Sequence, residues 1–327
     1  MARLILGDRV YHLDPGETVL DCLLRHQEEV DYGCRAGVCQ SCLLQAEEPV
    51  PASAQTGLKD TLKRQRYFLA CSYRPETDLH IRIPARERFS TEVIAHHRLT
   101  PEIVRLRLAV PAAFSYRPGQ YVNLFHQGQV RSYSLASLPG EPFLEFHIRR
   151  VPGGLFSTWI FEALHPGDTV QIGPALGECF YTPEAAEQPL LLIGTGSGLA
   201  PLYGILRDAL EQGHREAIYL YHGSSTLSGL YLQEALQALA CDYSQFHYVP
   251  CLSRTPVPDG IRHGRASALA LADHPQLENW RIYLCGNPEM VRSAQRRCFL
   301  AGASMQAIHA DPFLSANDSQ APGPSSR

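Results

Sequence analysis

Gly33-Cys34-Arg35-Ala36-Gly37-Val38-Cys39-Gln40-Ser41-Cys42 carries three cysteines, separated by four residues and then by two. A fourth, Cys71, follows in Phe68-Leu69-Ala70-Cys71-Ser72-Tyr73. C-x4-C-x2-C…C is the ligand spacing of a [2Fe–2S] cluster. Such a group needs four thiolates around two irons, on a loop whose backbone N–H groups can face the sulfurs. Gly33 and Gly37 permit the close turns that this wrapping requires. A zinc ribbon ordinarily shows two C-x2-C pairs, and only Cys39 and Cys42 form one here. A zinc site or four unrelated buried cysteines are the alternatives.

Outside this loop the ten cysteines thin out. Cys22 falls on a helical stretch, and Cys179, Cys241, Cys251 and Cys298 show no ligand spacing, so these five read as structural. The opening residues carry charges at Arg3, Asp8 and Arg9 and no apolar core of a signal peptide. No run of about 18 apolar residues offers a membrane span. A reducing cytoplasm is therefore expected, where clustered cysteines bind metal or do redox work. The chain has 327 residues, 45% apolar and 19% charged, which is ordinary globular composition in two or three domains. Lys+Arg of 29 against Asp+Glu of 33 argues against nucleic acid as a partner. A monomer is expected.

The pattern changes twice along the chain. In residues 1–86 two short strands flank Gly7-Asp8, a helix starts at the N-cap Thr18, and His80–Pro84 reads as a closing strand. The charged run around Pro84 marks a linker. From 87 to 184 short alternating strands separated by turn residues predict an antiparallel barrel or sandwich, interrupted by a helix near Phe156–Leu164. From 185 to 314 strands and helices alternate, which predicts a doubly wound parallel sheet. The polar tail 315–327 is expected to be disordered.

Two further sets of residues carry chemistry. Arg131-Ser132-Tyr133-Ser134 offers a guanidinium for a pyrophosphate, a ring to stack on a flat cofactor and a hydroxyl for a ring nitrogen. Gly153-Gly154-Leu155-Phe156-Ser157 opens a helix, where free N–H groups favour an anion. Gly194-Thr195-Gly196-Ser197-Gly198 joins a strand to a helix and lets a pyrophosphate approach the backbone. Cys285-Gly286-Asn287-Pro288 ends a strand at the carboxyl edge of the parallel sheet. Each stretch alone also reads as an ordinary strand, turn or cap.

Taken in order, these motifs resemble a known family over nearly the whole chain. GCRAGVCQSC with Cys71 resembles the plant-type ferredoxin domain, with Gln40 where many members have glycine or alanine. The rest resembles the ferredoxin–NADP reductase superfamily, and the N-terminal iron–sulfur module points to reductase components of bacterial multicomponent oxygenases. The resemblance implies a β-grasp ferredoxin domain, an antiparallel β-barrel flavin domain and a doubly wound nicotinamide domain. It implies Cys34, Cys39, Cys42 and Cys71 as cluster ligands. It puts Arg131 on the pyrophosphate of FAD, Tyr133 on its ring system and Ser134 near its reactive nitrogen, with Gly153 to Ser157 on the phosphates and His147 and Ile148 lining the cofactor. In the nicotinamide domain it implies Gly194 to Gly198, Ser224, Ser225 and Gly286 to Pro288 as binding residues, with Cys285 packed at the hydride-transfer point. Phe313 would stack on the flavin or anchor the tail. Ser197 keeps the hydroxyl of the family's usual threonine, and Asn287 departs from C-G-P-P. With no basic residue between Ser224 and Arg254, NADH is favoured over NADPH. The implied activity is an NAD(P)H-dependent reductase passing electrons through FAD and the cluster to a partner protein, a non-haem iron oxygenase or its ferredoxin. The alternatives are a non-oxygenase acceptor, such as a deoxysugar dehydratase or a desaturase, and a redox-sensing protein without turnover.

Overall fold

The computed structural model describes residues 2–85, 87–254 and 256–314. The tail 315–327, expected to be disordered, lies outside the described residues. Three sheets follow one another along the chain, each over its own apolar core.

In the first sheet, β1 (Arg3–Leu6) and β2 (Arg9–His12) form a hairpin turned at Gly7, whose φ of +59° suits glycine. Helix α1 (Val19–Arg25) starts where Thr18 Oγ1 accepts a hydrogen bond from the Asp21 N–H at 3.1 Å. It buries Val19, Leu20, Cys22 and Leu23 against the sheet. Then come β3 (Leu43–Ala46), the short α2 (Asp60–Arg64), β4 (Tyr67–Leu69) and β5 (Leu79–Arg82). The order is β2-β1-β5-β3-β4, with β5 parallel to β1, which makes a β-grasp.

The second sheet is antiparallel throughout: β6 (Phe89–Arg98), β7 (Ile103–Ala109), β8 (Tyr121–His126), β9 (Gln129–Ser134), β10 (Phe143–Arg149) and β11 (Thr169–Ile172), in the order β10-β7-β6-β11-β8-β9. It curls into a barrel, and Ala136 N–H bonds Glu145 O at 2.9 Å across the seam. Helix α3 (Leu155–Glu162) begins one residue earlier than expected and drops Phe156, Ile160 and Phe161 into the barrel core. The stretch Arg131–Ser137 reads as one strand from sequence, but β9 stops at Ser134, because Leu135 leaves the strand ladder to pair with Gln120 and Gly119.

The third sheet is wholly parallel: β12 (Leu190–Thr195), β13 (Ile218–Ser224), β14 (Phe246–Leu252), the two-residue β15 (Arg262–His263), β16 (Arg281–Gly286) and β17 (Ile308–Pro312). Leu190 and Leu192 face a core with α4 (Leu199–Glu211) and α5 (Gln233–Asp242). Leu191 and Ile193 face the opposite core, with α6 (Ala266–Asp273) and α7 (Pro288–Leu300). Burial on both faces explains the unbroken apolar run of β12. The stretch Leu230–Ala240 reads as a helix from sequence, but α5 starts only at Gln233, because Leu232 sits at φ +58° and Tyr231 is buried beside the barrel. The order β15-β14-β13-β12-β16-β17 reverses direction at β12, where such sheets bind ligands beyond their carboxyl ends. Among the described residues, no helix is long and apolar enough to cross a membrane.

Candidate functional site

The loop 33–42 draws its sulfurs together by backbone geometry. Ala36 N–H points at Cys34 Sγ (3.3 Å), and the N–H groups of Cys34 and Cys39 each point at the other's sulfur (3.4 Å). The sulfurs of Cys42 and Cys71 are also hydrogen-bonding neighbours, with the Cys71 N–H toward Cys42 Sγ and the Gly37 N–H toward Cys71 Sγ. The four thiols thus stand as two pairs. Gly37 has φ +73°, and a Cβ there would lie 2.7 Å from Ser72 Oγ, so glycine lets the loop close on the Cys71 turn. Gln40 also takes a positive φ, +55°, and its amide reaches Gly57 O at 3.4 Å.

This loop rests on the barrel. A Cβ on Gly33 would lie 3.0 Å from Val130 O, the Tyr121 hydroxyl lies 3.5 Å from Val38 O, and the Asn123 amide lies 3.5 Å from Cys39 O. Arg88, just before β6, holds Asp31 at 2.7 Å and lies over the Phe125 ring. Cys34 and Cys39 therefore face the same cleft as strand β9.

That cleft has a volume of about 1270 Å³ and runs between all three sheets. Arg131, Tyr133, Ser134, His147, Gly153, Gly154, Leu155, Phe156 and Ser157 line its barrel wall. Ile148, the next residue on β10, points the other way into the barrel core. Ser157 Oγ accepts from Val151 N–H at 3.0 Å and so ties the start of α3 to the loop before it. The His147 imidazole is buried, with Nε2 3.0 Å from Glu145 Oε1 and Nδ1 3.2 Å from the Tyr231 hydroxyl. Burial lowers the pKa of His147. Burial alone would raise Glu145, but His147 and Arg107, the latter 2.6 Å away, hold it at about 2.

Thr195, Gly196, Ser197, Ser224, Ser225, Gly286, Asn287, Pro288 and Phe313 line the opposite wall. Gly194, Gly198 and Cys285 lie behind it. A Cβ on Gly198 would stand 2.3 Å from Cys285 O, and one on Gly286 (φ +117°) 2.6 Å from Thr195 O. These two glycines let the β12 and β16 loops interlock. Cys285 is fully buried, its sulfur 3.8 Å from that of Cys179. Asn287 has a local reason to be there: its Oδ1 accepts from Met290 N–H at 3.0 Å and caps α7.

Asp311 and Arg265 are among the cleft residues that escaped the sequence reading. Asp311, two positions before Phe313, puts Oδ2 2.9 Å from Ser134 Oγ. Burial raises its pKa to about 6 against the opposing hydrogen bond from Ser134. Arg265, at the N-cap of α6, lines the cleft together with Ser224, Ser225 and Thr226. Nothing in the local sequence around Arg265 marks it, although a cap at a β–α junction of this sheet is a signal that could have raised it. Of the five cysteines read as structural, four are buried, but Cys241 on α5 is exposed, because its helix presents that face to solvent.

Comparison with known proteins agrees with this geometry. Three family models match: a 2Fe-2S iron-sulfur cluster binding domain over residues 5–76, an oxidoreductase FAD-binding domain over 90–181 and an oxidoreductase NAD-binding domain over 192–296. The naphthalene 1,2-dioxygenase system ferredoxin–NAD(P)(+) reductase component of Pseudomonas putida is 33% identical over 319 residues, covering 94% of this chain and 96% of the relative. The chain belongs to the ferredoxin–NAD(P) reductase superfamily, with an N-terminal [2Fe–2S] domain. The reductase subunit of an aromatic O-demethylase from Amycolatopsis is 34% identical to this reductase, covering 95% and 98% of the two chains. Among solved structures, an Amycolatopsis cytochrome P450 reductase superposes with a TM-score of 0.70 at 31% identity, covering 97% of this chain and all of the other. A ferredoxin reductase in carbazole 1,9a-dioxygenase gives 0.64 at 25% identity, covering 95% and 98%. The reductase is an NAD(P)H-dependent oxidoreductase with domains for a [2Fe–2S] cluster, FAD and a nicotinamide.

The residues present fit these groups. Among the described residues, the four thiols stand as two hydrogen-bonded pairs, and Cys34, Cys39, Cys42 and Cys71 would hold a two-iron cluster as its four sulfur ligands. Backbone N–H groups already aim at the sulfurs, as a negatively charged cluster needs. On the barrel wall, a guanidinium, a ring and a helix start with free N–H groups line one continuous surface, which suits a dinucleotide.

Proposed function

We propose that this reductase supplies electrons to an oxygenase or to the ferredoxin that serves it. The observation that carries the reading is one cleft shared by the cluster loop, strand β9 and the two nicotinamide-side loops. Bound FAD supplies the exchange between a two-electron hydride donor and a one-electron cluster. The chain's own part is placement. Arg131 and Gly153 to Ser157 would hold the flavin phosphates, Tyr133 would cover the ring, and Ser134, bonded to Asp311, would present its hydroxyl at the reacting edge. Thr195 to Ser197 and Asn287 would hold the nicotinamide half, with Phe313 beside it. Gly194, Gly198 and Cys285 would act from behind by keeping the two loops together. Cys34, Cys39, Cys42 and Cys71 would hold the cluster, the first two on the flavin side. The modules divide at 1–86, 87–184 and 185–314, a division that the three separate sheets support.

The named relatives serve a dioxygenase in one case and a cytochrome P450 in another, so the acceptor class is an oxygenase rather than a non-haem one alone. NADH is the proposed donor. A specific observation favours NADPH as a second substrate: Arg265 shares the cleft with Ser224 and Ser225, where a 2′-phosphate would lie. Steady-state reduction of cytochrome c by the purified holoprotein, with each nicotinamide in turn, tests the reading. Absence of turnover with both would overturn it.

A further inference from the structure

The sequence contains only two lysines, Lys59 and Lys63, and both lie in one short segment of the ferredoxin domain. Residues 56–67 carry four cations, Lys59, Lys63, Arg64 and Arg66, against one carboxylate, Asp60, in a chain whose net charge is −4. All four cations are exposed. Elsewhere in this domain five arginines meet carboxylates, Arg3 with Asp78, Arg9 with Glu28, Arg25 with Glu17, Arg35 with Asp21 and Arg82 with Glu47, while Arg74 bonds the carbonyl of Gly16. The segment differs. Lys63 meets only Asp60 of its own helix, and Lys59 comes no nearer than 3.9 Å to Glu178, with both side chains in solvent. Among the described residues, no carboxylate pairs with Arg64 or Arg66.

This ridge also starts at the cluster loop. Gln40, between the ligand positions Cys39 and Cys42, hydrogen-bonds Gly57 O, two residues before Lys59. Gln40 is the residue at which the loop departs from its family's usual small side chain. Its amide joins the sulfur-bearing loop to the charged segment.

We propose that Lys59, Lys63, Arg64 and Arg66 form the docking face for an acidic surface of the protein that accepts the electrons. An excess of exposed cations over carboxylates steers an oppositely charged partner, and the Gln40 contact sets the encounter beside the cluster. The inference rests on the reading of this chain as a donor to a protein acceptor.

The test uses holoprotein and two haem proteins of opposite charge, acidic cytochrome b5 and basic cytochrome c. With wild type, kcat/KM for cytochrome b5 falls about tenfold from about 20 mM to about 200 mM salt. In the combined variant Lys59→Glu, Lys63→Glu, Arg64→Glu, Arg66→Glu, it is about tenfold lower at low salt and nearly flat with salt. Reduction of cytochrome c by the variant holds or rises, which shows that the protein is folded and loaded. An unchanged kcat/KM for cytochrome b5 in the variant, or no reduction of it by a wild type that reduces ferricyanide, overturns the docking face and leaves the reductase reading intact. Loss of every acceptor with wild type counts against the reductase reading instead. Carbodiimide cross-linking to cytochrome b5 then still judges the ridge, because Lys59 and Lys63 are its only side-chain amines. Coupling at either lysine supports the face, and coupling at the N-terminal amine alone, or none, overturns it.

Discussion

Ser134 Oγ donates to Asp311 Oδ2 at 2.9 Å, joining the last residue of a barrel strand to the last strand of the parallel sheet. The two are 177 residues apart. The contact lies where the two walls of the cleft meet, so a carboxyl held near neutrality adjoins the hydroxyl assigned to the flavin edge.

Its titration has a definite sign. The pKa of Asp311 is raised from 3.8 to about 6 by burial. Below about pH 3.8 the folded and unfolded chains both hold the proton, and the group costs nothing. Between these values only the folded state holds it, so its share of stability declines as pH rises and is fully lost above about pH 6. Asp311→Asn removes that penalty and is expected to stabilise the chain at pH 7 by about 3 kcal/mol. Urea unfolding at pH 5 and pH 7 checks this; a variant no more stable than wild type at pH 7 would contradict the buried, ionised carboxylate. The same variant should lose an inflection near pH 6 in the rate of flavin reduction by nicotinamide.

Cys34 and Cys39 both line the cleft proposed to hold the flavin. Cys39→Ser is expected to abolish reduction of cytochrome c while leaving anaerobic bleaching of the flavin by NADH within about twofold, since removing one ligand does not touch hydride transfer. Rapid-mixing absorbance and iron content check it. Equal loss of both activities would show that the carriers do not act in the proposed order.

Gly198 and Gly196 separate two uses of glycine within one loop. Gly198→Ala brings a methyl 2.3 Å from Cys285 O, a backbone atom that cannot step aside, and is expected to cost about 3 kcal/mol. Gly196→Ala meets nothing within 4 Å and strains only its φ of +55°, at about 1 kcal/mol. Denaturant midpoints of the two variants should rank in that order.

Arg265 lines the cleft beside Ser224 and Ser225. Arg265→Ala is expected to lower kcat/KM for NADPH about tenfold and to leave NADH within about twofold, because only the former carries a 2′-phosphate for a charge-assisted bond. Parallel kinetics with both donors read the ratio. Equal effects would mean that the guanidinium faces away from the adenosine end.

Local chemistry was legible in the sequence. Cysteine spacing marked the sulfur loop, alternation marked β7, β8 and β10, and the Thr18 cap marked the start of α1, because each is decided by neighbours along the chain. What escaped depends on packing between sheets. Asp311 stands in a stretch that drew notice only for Phe313, and its partner lies on another sheet. The His147 side chain turns toward Tyr231, a choice made by a residue of the segment that leads into α5. Arg265 shares the cleft with Ser224 only because β13 ends and α6 starts on the same edge. The start of α5 shifted for the same reason, since burying Tyr231 forces Leu232 out of helical geometry.

The interlock of Gly198 with Cys285 and of Gly286 with Thr195 divides the cleft into a rigid and a permissive half. Variation at the first is vetoed by main-chain atoms, whatever side chain is tried. At the second, Ser225 and Arg265 are exposed, and the half-buried Ser224 holds the Ser253 N–H through its carbonyl rather than its side chain. A library aimed at changing donor preference should therefore be concentrated there, and a natural drift between donors would follow the same path of least obstruction.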